Sequence, residues 1–206
     1  MEYDTIYIDH LEYTSVKPLV NFFKKFGMDV FDVEKYGIHG TSIRVFVCME
    51  GKRKIEESVK KFLDLEEEKG IYKKEVLNSF SRKVKKHKKE FGELLRELKR
   101  QGKTIVGISA PAKGNPLLNY CKINEDIIDY TTEKSLIKIG NYTPGMHIPI
   151  VGEDKILEDK PDYGVIFAWN FAEEIIKNNK RFADEGGKFI IPITSLGIEI
   201  RSYINI

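Results

Sequence analysis

Residues 103–119 read KTIVGISAPAKGNPLLN, and the reading of this stretch decides the fold. Thr104, Ile105, Val106, Gly107 and Ile108 form an apolar, mostly β-branched run that breaks at Ser109-Ala110-Pro111-Ala112-Lys113-Gly114-Asn115. Pro116, Leu117 and Leu118 then begin a short helical pattern. The order predicts a strand, a tight turn and a helix start. In open α/β folds such a turn lies at the C-terminal edge of the sheet, where backbone N–H groups and the positive end of a helix receive anions. Lys113 adds a full charge, Gly114 allows close approach, and Asn115 is suited to cap the helix that Pro116 opens. The residues therefore suggest a phosphate or pyrophosphate cradle, although the same pattern also serves as a simple strand-to-helix connection.

On the C-terminal side, β and α signals alternate. Ile127-Ile128-Asp129-Tyr130 reads as a second strand and His147-Ile148-Pro149-Ile150 as a short third. Tyr163 to Ala168 is an apolar strand ending in Trp169-Asn170, residues 171–183 are helical, Gly186-Gly187 stops that helix, and Lys188 to Ile193 is another strand. Apolar strands joined by crossover helices predict a doubly wound, Rossmann-like, mostly parallel sheet over residues 102–206. Its ligand edge would gather Ala110 to Asn115, Trp169-Asn170 and Pro192 to Thr194.

On the N-terminal side, residues 52–101 are helical and highly charged. One short stripe holds Ile55, Val59, Phe62 and Leu63; a longer one holds Val76, Phe80, Val84, His87, Phe91, Leu94, Leu95 and Leu98. Residues 82–89, RKVKKHKK, could form a nucleic-acid patch, but few aromatics interleave and carboxylates follow at once, which favours a solvated helix face. Residues 1–51 carry a helix marked by Leu19, Phe22, Phe23 and Phe26, then strands at Met28–Val33 and Ser42–Met49. A helix and a hairpin cannot bury both faces alone, so this segment is expected to pack on a sheet from elsewhere.

The 206 residues suffice for a real core, and 34 basic against 32 acidic residues leave a net charge of +2, which does not imply bulk nucleic-acid binding. Cys48 and Cys121 lie far apart without CxxC spacing, so no disulfide framework or self-contained zinc site is expected, and the compartment expected is reducing cytoplasm. Neither a secretory leader nor an apolar run of about 18 residues is apparent. A single glutamine, Gln101, amid abundant Lys, Glu and Ile hints at a thermophilic source.

One set of ordered motifs goes further. Ser109 to Asn115, Lys138 with Gly140, Pro144-Gly145-Met146-His147-Ile148-Pro149, Pro161-Asp162-Tyr163, Ala168-Trp169-Asn170-Phe171 with Glu174, and Gly186 to Ile190 with Pro192 together resemble the C-terminal domain of the sugar C-methyltransferase family. Asp4 to His10, Tyr13, Phe31-Asp32-Val33 and residues 39–45 resemble the end of that family's methyltransferase domain, where a helix and hairpin close a class I S-adenosylmethionine-binding sheet. The resemblance covers only the later half of the family. The cysteine-rich zinc module and the glycine-rich donor loop that open the family have no match here. The implied organisation is a methyltransferase-domain remnant at 1–51, a helical linker at 52–101 and a nucleotide-sugar-binding domain at 102–206. A separate half would bring the zinc module and S-adenosylmethionine, with no metal held by this chain.

The resemblance also implies roles. The family removes a proton beside a sugar carbonyl, and His10 matches its base, with Asp9 where the family usually has Glu and Tyr7 further back. Histidine suits the step because its ordinary pKa is ~6.5. Ser109, Ala112, Lys113, Gly114 and Asn115 would hold the nucleotide diphosphate; Lys138 and His147 would add phosphate or sugar contacts, and Trp169 and Asn170 would line the pocket. The plainer alternatives are a surface role for His10, a turn role for His39 and a core role for Trp169. A non-catalytic nucleotide-sugar-binding or scaffold protein remains the competing function.

Overall fold

The computed structural model describes residues 2–37, 42–194 and 197–202. The chain divides into two compact units, one made of the described parts of residues 1–9 and 82–206, the other of residues 10–81.

In the second unit, α1 (Val16–Lys24), β1 (Met28–Tyr36), β2 (Ser42–Met49) and α2 (Glu57–Lys69) follow in order. The two strands form an antiparallel pair with a bulge between Val30 and Asp32. Val30, Val33, Val45 and Val47 turn one face of this hairpin toward Val16, Val20 and Phe23 of α1 and Val59, Phe62 and Leu63 of α2. The packed face of α1 is thus Val16-Val20-Phe23, not the Phe22-Phe26 side that the sequence suggested; Phe22 and Phe26 are exposed. Glu66, itself buried, accepts the Val16 N–H at 2.6 Å and the Lys17 N–H at 3.0 Å, so a carboxylate from α2 caps the start of α1.

Helix α3 (Lys74–Arg100) runs through the boundary at residue 81. In the first unit follow β3 (Ile105–Ile108), α4 (Gly114–Cys121), β4 (Thr131–Glu133), β5 (Ile150–Gly152), α5 (Lys155–Asp159), β6 (Tyr163–Ile166), α6 (Ala172–Asn178), α7 (Lys180–Asp184), β7 (Lys188–Ile191) and β8 (Glu199–Arg201). They build a six-stranded sheet in the order β5-β4-β3-β6-β7-β8, parallel except for β8. This is the doubly wound order expected, with the chain reversing direction across the sheet between β3 and β6. No described helix is long and apolar enough to cross a membrane.

Side-chain alternation assigns the two faces. Ile105, Val165 and Ile190 pack under Phe91, Leu95 and Leu98 of α3 and Leu117, Leu118 and Cys121 of α4. Val106, Ile108, Ile166, Phe189 and Ile191 meet Ile156 of α5, Ala172 and Ile176 of α6 and Phe182 of α7. The long stripe on α3 is therefore core-facing from Val84 onward, whereas Val76 and Phe80 are exposed. Lys86 and Lys89 pair with Glu90 and Glu93, as a solvated face would.

Several boundaries differ from expectation. The second strand begins at Thr131 rather than Ile127, because Asp129 and Tyr130 approach β3 through single backbone bonds, Asp129 N to Ile105 O at 2.9 Å and Gly107 N to Tyr130 O at 2.7 Å. The third begins at Ile150, since His147 takes a positive φ of 54° that no strand accommodates. The helix expected over 171–183 opens as a 3-10 turn at Trp169–Phe171 and breaks at Asn179, whose side chain donates to Ile175 O at 2.8 Å. Strand β8 and helix α5 are too short to stand out in sequence.

Gly107 marks the tightest point of the sheet. A Cβ there would lie 2.5 Å from Thr131 Oγ1 and 2.6 Å from Phe167 Cε2. Gly107→Ala should lower stability by about 1–3 kcal/mol, read as a shifted urea midpoint with unchanged slope.

Candidate functional site

The ends of β3 and β6 meet where the chain reverses, and Lys113 is the centre of what they gather. It precedes α4, half-buried, with Nζ 4.0 Å from the centre of the Trp169 ring and donating to Asn170 Oδ1. No carboxylate lies within ion-pair distance of it among the described residues. Burial pulls its ammonium below the ordinary lysine value, with the charge of Asp4 opposing that shift. Of three ammonium donors one is used by Asn170, so the group is pre-set for an anion.

Trp169 is fixed from its edge. Its Nε1–H donates to Asp4 Oδ2 at 2.5 Å. Asp4 is 1% exposed, and burial raises its pKa, an effect reduced by the Trp169 bond and by Lys113. Its other oxygen, Oδ1, is buried without a hydrogen-bond partner. The sequence reading did not single out Asp4 as a site residue. No local signal marks it, because Glu2 flanks Tyr3 equally on the other side and the partner of Asp4 lies 165 residues away.

That tyrosine explains why residues 3–5 form a 3-10 turn docked on α4. The Tyr3 hydroxyl lies 3.0 Å from His87 Nδ1 and 3.5 Å from Cys121 Sγ, and His87 Nε2 lies 2.5 Å from Pro192 O. The Pro192 carbonyl only accepts, so His87 carries its proton on Nε2. In the neutral ring Nδ1 then accepts from Tyr3, and the Cys121 thiol donates to the Tyr3 oxygen. Burial pushes both the Tyr3 hydroxyl and the Cys121 thiol up, so both stay protonated at neutral pH.

A cleft of about 360 Å³ opens at the C-terminal ends of β3 and β4 against α6. Ser109, Ala168, Phe171, Ile175 and Asn178 line it with the carboxylates of Glu133, Glu153 and Glu174 and with Lys134, which pairs with Glu153 at 3.7 Å. Ser109 has a positive φ of 64°, which holds its hydroxyl on the Ile108 carbonyl at 2.6 Å. Glu133 accepts the Ala110 N–H at 3.2 Å and the Lys138 ammonium at 3.1 Å, and Lys138 also donates to Ala110 O at 2.9 Å. Lys138 thus braces the β3 turn through Glu133, another residue the sequence reading did not select.

The remaining expected residues fall in three places. Ala112 is exposed in the turn, and Gly114 starts α4 itself, where a Cβ would sit 3.2 Å from Phe167 Cβ; its smallness serves helix-to-sheet packing. Asn115 lies inside the first turn of α4 and is not its cap; Lys113 holds that position, and no side chain caps the helix. The Gly114 and Asn115 N–H groups donate to Pro111 O and Ala112 O, so Lys113 supplies the site's positive charge. His147 lines a different cleft, with Lys122, Asn124 and Glu125 beyond the C-terminal end of α4, and is not brought to Lys113. Tyr7 and Asp9 belong to the first unit, half-buried and exposed respectively, while the exposed His10 opens the second. His39 lies outside the described residues.

Chemically, the arrangement at the strand ends offers one ammonium over an aromatic platform and, reached through the neighbouring Ala168 and Phe171, a cleft of apolar walls with carboxylate, amide and lysine groups on its rim. It suits an anion joined to a hydroxylated ring. It does not fit an S-adenosylmethionine site, because the only glycine of the β3 turn is packed on Phe167 and the neighbouring N–H groups are occupied. Among the described residues, no group of three or more His, Cys, Asp or Glu is gathered as a metal-ligand set.

Residues 37–194 match the model of the C-methyltransferase C-terminal domain. Over 193 residues, 93% of this chain, the sequence is 34% identical to C-methyltransferase NovU of Streptomyces niveus. The match takes in 46% of NovU, so the chain spans about half the length of this curated relative.

Glu133 yields a pH test. Burial would raise its pKa, but the Lys138 bond and the Lys134 and Ser135 amides outweigh burial and hold it below the usual glutamate value. A depressed carboxylate contributes stability in full above its unfolded pKa of ~4.3 and loses it as pH falls through the folded value. The stability difference between wild type and Glu133→Gln should therefore be constant from pH 7 to about pH 5 and shrink below ~4.3, measured by urea unfolding at each pH.

Proposed function

The chain belongs to the C-methyltransferase C-terminal domain family, and on that premise we propose that it supplies the acceptor side of an S-adenosylmethionine-dependent C-methyl transfer to a nucleotide-linked keto sugar. The observation that carries this reading is Lys113, an ammonium without an ion-pair partner among the described residues, held over Trp169 at the switch point of a doubly wound sheet. The diphosphate is assigned to Lys113. The cleft at the ends of β3 and β4, with Glu133, Glu153, Glu174, Lys134 and Asn178 on its rim, offers hydrogen-bonding groups and apolar walls to a hydroxylated ring.

His10 is proposed as the base. It takes the proton from the carbon beside the sugar carbonyl, and the C–H electron pair moves into an enolate that is nucleophilic at that carbon. Asp9 orients the imidazole and Tyr7 stands in the same segment. S-adenosylmethionine supplies an electrophilic methyl group. We assign its binding to a complementing polypeptide segment, because the residues described here form no donor site; the helix and hairpin of residues 10–81 would pack on that segment's sheet.

Calorimetric titration with dTDP and UDP tests the acceptor site. Wild type should bind, and Lys113→Ala should weaken binding by roughly 1–3 kcal/mol, the range of a charged hydrogen bond. When the chain is complemented with an S-adenosylmethionine-binding methyltransferase half, His10→Ala should abolish turnover and leave nucleotide affinity unchanged. Turnover that survives the substitution removes His10 as the base, and binding with no turnover in any complemented pair favours a nucleotide-sugar-binding protein without catalysis.

A further inference from the structure

We propose that Asp4 is a positioning residue for the diphosphate site, acting through Trp169: it fixes the indole as the platform on which Lys113 rests. The inference deepens the nucleotide reading of Lys113 and rests on it.

Three observations combine. First, Asp4 is a fully buried carboxylate whose single side-chain hydrogen bond goes to the Trp169 Nε1–H, while Oδ1 has no partner. Burying a carboxylate is costly, and leaving one of its oxygens unpaired adds to the cost, so its own satisfaction does not explain its place. Second, no ion pair within 4 Å joins Asp4 to Lys113 among the described residues; beyond the longer-range pull of their charges, what links them is the ring. The carboxylate holds the indole by its edge, and the ammonium lies over its face at 4.0 Å. A negative acceptor on the indole N–H raises electron density on the ring face and strengthens its hold on the cation. Third, Asp4 is seated by its neighbour Tyr3, which is locked to His87 and Cys121. The turn at residues 3–5 is therefore an anchor that, through Trp169, also positions Lys113.

The sign of two substitutions separates this role from a purely electrostatic one. Asp4→Asn keeps an acceptor for the indole and removes a negative charge near the phosphate site, so affinity for UDP and for inorganic pyrophosphate should stay within about threefold or tighten. Asp4→Ala leaves the indole N–H unpaired and the ring unfixed, and affinity should fall by roughly tenfold or more. If Asp4 acted by charge alone, both substitutions would tighten binding. The loss caused by Asp4→Ala should vanish in a Trp169→Phe background, where there is no N–H to hold.

Trp169 is the sole tryptophan, so its fluorescence reports the platform without any ligand. Acrylamide quenching should be greater in Asp4→Ala than in wild type or Asp4→Asn, and equal quenching in all three overturns the proposal. Should wild type bind neither UDP nor pyrophosphate, the nucleotide reading falls and quenching alone decides the role of Asp4. Circular dichroism checks that each variant folds. If Asp4→Ala does not, Trp169→Phe removes the same bond from the other side: weakened pyrophosphate binding supports the proposal, and unchanged affinity overturns it.

Discussion

A buried tyrosine hydroxyl must find a partner, and that requirement at Tyr3 organises the sheet-bearing unit. Its hydroxyl joins His87 of α3, Cys121 of α4 and, through the imidazole, the carbonyl of Pro192 beyond β7. Three segments far apart in sequence are thereby referenced to one atom. The neighbouring Asp4 is carried to the switch point as a consequence, and Trp169 and Lys113 are aligned in turn. Without this anchor the residues around the strand ends would be an assortment of polar groups. With it they have a fixed edge, a fixed face and a charge held above that face.

Charge is arranged differently on the two parts of the strand ends. Lys113 stands on an aromatic ring with no ion-pair partner among the described residues, whereas in the cleft Glu133 is occupied by the turn and Lys138, and Glu153 by Lys134. The turn carries its own charge on a side chain. The first α4 amides are used in closing the turn itself, so the helix start contributes less to anion binding than the pattern Lys-Gly-Asn suggests.

The parallel sheet was legible because buried strands leave continuous apolar runs: Ile105 to Ile108, Tyr163 to Ile166 and Lys188 to Ile191 stand out by composition alone. Lys113, Trp169 and Asn170 were legible as neighbours because they fall at the ends of those runs. Asp4 was not, since its importance comes from a partner 165 residues away and no local pattern encodes such a contact. His147 was misplaced for a related reason: its segment is rich in Gly and Pro, but its left-handed backbone sets it beside the far end of α4. Asn115 misled because Asn before Pro reads as a cap, whereas the helix starts one residue earlier on a glycine that packs against Phe167.

The Tyr3 and Asp4 anchor sets an order of assembly during synthesis. Their partners lie 84, 118 and 165 positions later, and the carbonyl that completes the hydrogen-bonded set belongs to Pro192. At the usual pace of elongation, roughly ten to thirty seconds separate Asp4 from Trp169. Through that interval the turn at residues 3–5 has no seat, and its place on α4 stays open. These contacts therefore close late, and the platform under Lys113 is complete only once Trp169 and Pro192 have been made.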